Sequence, residues 1–239
     1  RRQRQMCIRD SSERDPQTAD GNSGFLRCAV DRGYAGRKKL VRGKIVMKVI
    51  GITGGVGSGK SAVLKLLEEE YHAVVVQLDE VAKALQRKGT PCWKAIVEAF
   101  GREILDENEE LDRKKLAQIV FQSSEKLEQL NGIVHPAVKQ QVLLDIEEKR
   151  KEKTELYVLE AALLLEAGYA KICEETWFIY TEESVRRERL KASRGYSDER
   201  ITDMIRSQSP EAYFRKNCTR VIDNSREIEE TRRQIGEIL

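Results

Sequence analysis

From Lys48 onward the chain alternates short apolar, often β-branched runs with longer segments of helical period. The runs are Lys48 to Thr53, Ala73 to Val76, Glu155 to Leu159, Thr176 to Tyr180 and Arg220 to Asp223. Each is strand-length and too apolar to leave one face in water, and helix-length sequence separates it from the next. That pattern predicts an α/β fold in which a five-stranded parallel sheet is covered on both faces, a three-layer α/β/α sandwich once right-handed crossovers are imposed. Between the runs, Ala62 to Glu70 reads as a helix, and a further helical stretch follows Asp79 until Gly89-Thr90-Pro91 breaks it. Trp93 to Phe100 then places Trp93, Ile96, Val97 and Phe100 on one helical face. Leu111-Asp112-Arg113 opens a helix through Phe121, Glu125 to Ile133 forms another, and His135-Pro136 is expected to start a long one ending near Lys151, since Pro favours the first helical position. The excursion between Asp79 and Glu155 exceeds what one crossover needs. Part of it, about residues 80–150, is expected to stand off the sheet as a substrate-binding insertion.

Between the first run and its helix lies Gly54-Gly55-Val56-Gly57-Ser58-Gly59-Lys60-Ser61, which fits G-x-x-x-x-G-K-[ST], the phosphate-binding P-loop. Strand, glycine loop and helix are all present, as the chemistry requires. The loop backbone must bend around an anion and turn successive N–H groups toward it at the positive end of a helix, and glycine permits that bend. Residues Gly55, Val56, Gly57, Ser58, Gly59, Lys60, Ser61 and Ala62 are therefore the expected nucleotide cradle. Lys60 reaches the outer phosphates, and the Ser61 hydroxyl is placed to ligate Mg2+ carried on ATP.

Composition adds limits. The chain has 239 residues and 40% hydrophobic content, enough for a sizeable core. Its five cysteines, Cys7, Cys28, Cys92, Cys173 and Cys218, include no C-x-x-C pair, and it has two histidines, so neither a disulfide framework nor a zinc site is indicated. No apolar run approaches the ~20 residues of a membrane span and no secretory signal is visible, so a cytoplasmic protein without membrane contact is expected. The net charge of +3 is uneven: residues 1–46 hold 12 of the 43 Lys and Arg but 5 of the 40 Asp and Glu, leaving the remainder at 31 against 35. The basic character thus belongs to a segment without periodicity. Residues 1–46 are expected to be a disordered leader or an artefactual extension, with Met47 as the natural start of one kinase domain over 47–239. A nucleic-acid partner is accordingly not expected.

Beyond the P-loop, further stretches in a fixed order resemble the dephospho-CoA kinase family. They are Leu78-Asp79-Glu80-Val81-Ala82; Leu111-Asp112-Arg113 with Leu130-Asn131-Gly132-Ile133-Val134-His135-Pro136; Leu163-Leu164-Leu165-Glu166; and Val221-Ile222-Asp223-Asn224-Ser225. The resemblance covers residues 47 to about 235. It implies ATP-dependent phosphorylation of the ribose 3′-hydroxyl of dephospho-CoA, giving coenzyme A and ADP, the last step of coenzyme A synthesis. Another P-loop kinase of nucleosides or nucleotides is the alternative reading. A monomer or weak homo-oligomer is expected.

The residues carry roles of their own. Asp79 lies beyond the second strand, at the ligand-binding edge of a parallel sheet, where a carboxylate can accept or align an attacking hydroxyl, or can cap a helix beginning at Glu80. The resemblance assigns it as base for the ribose hydroxyl. The chain departs from the family's Asp-x-Asp in having Gln77-Leu78-Asp79. Glu160, after the third run, and Glu166 are both candidates for a Walker-B-type acid. The basic stretch Arg186 to Arg194 falls in a lid-like segment, about residues 184–210, and Arg189 and Arg194 are the candidates to neutralise the transferred phosphoryl. Gln208 ends a helix in that segment without an assigned role. Asn224, after the last run, can read an adenine edge or form a polar turn, and the resemblance favours adenine. His135 reads as a structural or orienting residue more than as an acid–base catalyst.

Overall fold

The computed structural model describes residues 46–239, so the expected leader, Val46 apart, lies outside the described residues. Its strands are β1 (Lys48–Gly54), β2 (Val74–Gln77), β3 (Leu156–Glu160), β4 (Glu175–Tyr180) and β5 (Arg220–Asp223). All pair in parallel, in the order β2-β3-β1-β4-β5. The expected strands are therefore all present, displaced by at most one residue at their ends. Because β1 is central and the chain leaves it toward one side before returning to the other, its carboxyl end opens on the switch point where such sheets bind ligands.

The helices among the described residues are α1 (Lys60–Tyr71), α2 (Leu78–Leu85), α3 (Pro91–Phe100), α4 (Arg113–Gln122), α5 (Ser124–Lys151), α6 (Glu183–Arg194), α7 (Asp198–Arg206), α8 (Glu211–Asn217) and α9 (Ile228–Gly236). Local chemistry starts several of them. Thr90 caps α3 by accepting from the Trp93 amide at 3.1 Å, with Pro91 in the first turn. Asp112 caps α4 by accepting from the amides of Lys114 and Lys115 at 2.9 and 3.1 Å. Asp79 is not a cap: Gln77 occupies that position and Asp79 is the second residue of α2.

One expectation is corrected. The segment 124–151 is a single helix with Pro136 inside it, not two helices meeting at His135-Pro136. An interior proline costs about 3 kcal/mol through a lost hydrogen bond and a clash with the carbonyl four residues back. Here that carbonyl belongs to Gly132, which carries no side chain to crowd it. The apolar stripe also continues across the proline, burying Leu127, Leu130, Val134, Val138, Val142 and Ile146. At about 1.5–3 kcal/mol for each fully buried aliphatic chain, that stripe outweighs the break.

Two cores sandwich the sheet. On one face Val49, Tyr157 and Leu159 pack with α2 to α5; on the other Ile50, Ile52, Val158, Trp177, Ile179 and Ile222 pack with Val63, Leu64 and Leu67 of α1 and Ile235 of α9. A third, small cluster of Leu190, Tyr196 and Ile201 joins α6 to α7. Replacing Leu130, which is 1% exposed, by Ala should lower unfolding free energy by about 2–5 kcal/mol in urea titrations, whereas Leu144→Ala, at a 54% exposed position of the same helix, should change it by no more than about 0.5 kcal/mol.

Candidate active site

The phosphate loop joins the buried end of β1 to the first turn of α1. Gly57 and Gly59 hold φ of 75° and 77°, left-handed values that disfavour any side chain. A β-carbon on Gly59 would also collide with the Asn224 amide and lie 3.2 Å from Arg189 Nη1. Bonds from the Ser58 amide to the Gly55 carbonyl (3.2 Å) and from the Ala62 amide to the Gly59 carbonyl (3.0 Å) close the turn. Such alternation of left- and right-handed residues turns consecutive amides to one side, at the positive end of α1.

Beneath the loop, the Ser58 carbonyl accepts from Asn224 Nδ2 at 2.9 Å and from Thr181 Oγ1 at 3.0 Å. Asn224 Oδ1 in turn accepts from Thr231 Oγ1 at 2.9 Å, and the residue is 3% exposed. Both ends of the Asn224 amide are engaged inside the protein, so the side chain braces the loop.

Lys60 opens α1. Its ammonium donates to the Gly54 carbonyl at 3.1 Å and stands 3.7 Å from Glu160 Oε1, with both side chains largely buried. Glu160 ends β3 in register with Ile52 on one side and Gln77 on the other. Asp79, two residues past Gln77 and half-buried, thus stands at the same sheet edge as the Lys60–Glu160 pair. Glu166, the competing acid, accepts from Ser209 Oγ at 2.7 Å on the surface. Ser61 is exposed in the first turn of α1, beside the loop.

The structure separates the two lid arginines. Arg189 lies over Gly59, and its Nη1 is buried without a hydrogen-bond partner. An unmade bond of that kind costs about 1–3 kcal/mol, which an anion in the loop would offset. Arg194, at the exposed end of α6, faces Tyr196 instead, with Nη1 3.5 Å from the phenol oxygen and the guanidinium 5.9 Å from the ring centre. Arg189 is therefore the lid arginine brought to the loop. His135 is half-buried within α5, and burial pulls its pKa below the ordinary imidazole value.

Sequence reasoning missed Thr181 and Thr231, which hold the loop, and it noted Arg186 within a basic run and Gln208 without a role but not that both meet Val56. No local signal marks these contacts, since each joins partners distant in sequence or brought together only through the fold.

The model of the CoaE dephospho-CoA kinase family matches residues 48–230. A dephospho-CoA kinase of Carboxydothermus hydrogenoformans is 38% identical over 195 residues, 82% of this chain and 94% of the relative. That of Geobacillus kaustophilus is 39% identical over 190 residues, 80% and 94% of the two chains. Among solved structures, a Thermus thermophilus protein aligns with a TM-score of 0.67 at 32% identity, covering 80% of this chain and 96% of that one. The dephospho-CoA kinase of Campylobacter jejuni, at 22% identity and a TM-score of 0.61, shares the fold over 81% of this chain and 96% of its own.

Asn224→Asp should separate a brace from a base reader. A carboxylate facing the Ser58 carbonyl should lower stability by about 1–3 kcal/mol in thermal melts and leave the ATP to GTP preference unchanged. A shifted nucleotide preference with an unchanged melting temperature would restore the base-reading role.

Proposed function

The chain belongs to the dephospho-CoA kinase family, and we propose that it carries out the family's phosphoryl transfer with Asp79 receiving the proton of the acceptor hydroxyl. The reaction moves the γ-phosphoryl group of ATP to the ribose 3′-hydroxyl of dephospho-CoA, giving coenzyme A and ADP. The observation that supports the residue assignment is the shared sheet edge: Gln77, Glu160 and Ile52 lie side by side across β2, β3 and β1, and Asp79 follows Gln77 by two residues where Lys60 meets Glu160.

In this reading the loop amides and Lys60 hold the β- and γ-phosphates. The ribose oxygen attacks phosphorus in line, its proton passes to the Asp79 carboxylate, and the bond to the β–γ bridging oxygen breaks to release ADP. Lys60 leaves its contacts with Gly54 and Glu160 to follow the phosphate charge. Arg189 closes over the transferred group and neutralises charge that develops there. Nothing is attached covalently to the protein, so catalysis is positioning plus electrostatics.

Magnesium fits the donors present. Among the described residues no three His, Cys, Asp or Glu side chains gather as a metal site. Mg2+ prefers a few protein oxygens supplemented by water and phosphate, which Ser61 and the nearby Glu160 carboxylate provide. When bound, it would supply positive charge that draws electron density from the phosphates. The helices between β2 and β3 would seat the acceptor. None of the described helices is long and apolar enough to cross a membrane. The same reading has the enzyme working in the cytoplasm as a monomer or weak homo-oligomer, without nucleic acid.

ADP release by the full chain with Mg·ATP should depend on added dephospho-CoA and not on a panel of nucleosides and nucleotides. Asp79→Asn should lower kcat by about 10²- to 10⁴-fold while ATP affinity holds. Equal stimulation by nucleosides, or an Asp79→Asn enzyme with full turnover, would contradict the reading.

A further inference from the structure

Val56, at the tip of the phosphate loop, is gripped on three sides by the lid. Its carbonyl accepts from Arg186 Nε at 2.8 Å, its N–H donates to Gln208 Oε1 at 3.3 Å, and its side chain packs on the cluster of Leu190, Tyr196 and Ile201. Arg186 Nη2 donates to the same Gln208 oxygen at 2.9 Å. The three residues therefore form a closed hydrogen-bonded ring. Arg186 sits in the first turns of α6 and Gln208 two residues past the end of α7, so the ring ties both lid helices to the loop.

The ring supplies what the flanking glycines cannot. Glycine permits the bend but leaves it conformationally loose. A β-carbon on Gly55 would lie 2.5 Å from Arg186 Nη2, and one on Gly57 would lie 3.0 Å from the Arg186 carbonyl, so the start of α6 fills the space beside both. The guanidinium is half-buried, and that burial pulls its pKa below the ordinary arginine value. Both of its bonds go to neutral oxygens. With both backbone groups of Val56 taken by the lid, the neighbouring amides are held in one arrangement before any phosphate arrives.

We propose that Arg186 and Gln208 are positioning residues: granted that the loop is the ATP site, they set nucleotide affinity by fixing Val56, without touching the transferred phosphoryl group or the acceptor. They differ in this from Lys60 and Arg189, which meet the phosphates directly.

The test uses the full chain and four variants: Gln208→Met, Gln208→Glu, Arg186→Met and the double Met variant. A non-hydrolysable ATP analogue is titrated calorimetrically, and KM is measured separately for ATP and for dephospho-CoA. Gln208→Met has similar length but no acceptor for either donor, and should weaken analogue binding by about tenfold, the worth of one net hydrogen bond. KM for ATP should rise in parallel, with KM for dephospho-CoA and the melting temperature little changed. Gln208→Glu keeps an oxygen for both donors and should recover most of the affinity. The double variant should lose little more than either single one, because one break already opens the ring. Unchanged analogue affinity in both Met variants would overturn the proposal, as would a lowered melting temperature with unchanged KM for ATP, or a rise confined to KM for dephospho-CoA. Failure of the unaltered chain to bind the analogue would sink the ATP reading itself, and the ring's role with it.

Discussion

A loop that aims its amides at an anion must aim carbonyls elsewhere, and the bonds given to the Ser58 carbonyl by Asn224 and Thr181 resolve that constraint. Each bond contributes only about 0.5–1.5 kcal/mol net, but a buried carbonyl left unpaired costs about 1–3 kcal/mol, so the pair decides whether the loop can lie where it does. The sheet delivers both donors: Thr181 follows β4 and Asn224 follows β5. An edge strand far from the loop in sequence thereby becomes part of the nucleotide site. Thr231 in α9 fixes the Asn224 amide from behind, so the brace extends into the helical layer that also holds α1.

Around this frame the cations stand in a state that suits an arriving polyanion. Lys60 is held by a carbonyl and by Glu160 at 3.7 Å, contacts weak enough to exchange for phosphate. Arg189 keeps one buried nitrogen without a partner directly over Gly59. Both arrangements are less favourable in the free protein than they would be beside charged oxygens, and that difference favours nucleotide binding and charge stabilisation during transfer. The helices between β2 and β3, the unbroken α5 among them, cover the sheet face that carries Val49, Tyr157 and Leu159.

The strands, the loop and its helix were legible because each is a local pattern: β-branched runs, a spaced glycine motif, an amphipathic face. Asp79 and Lys60 were legible because their places depend only on which strand precedes them. The course of α5 was not, since His135-Pro136 is a sound start signal and only the burial of Leu130 and Val138 on either side overrides it. Asn224 was read as a base contact on the resemblance, the residues alone leaving a polar turn equally open; its burial depends on Thr231 and on the loop above. Arg189 and Arg194 were indistinguishable within one basic run, and helix geometry alone turns one toward Gly59 and the other toward Tyr196. Gln208 was visible only as a residue without a task, because its partner Val56 is 152 positions away.

The central claim is that this site moves one phosphoryl group from ATP to one particular hydroxyl. The most direct measurement is phosphorus and proton NMR of the product formed when the full chain is incubated with ATP and dephospho-CoA, with ADP quantified alongside. One ADP for each new 3′-phosphomonoester on the ribose is the predicted result. ADP formed without phosphorylated dephospho-CoA, or a phosphate carried at another position, would contradict it.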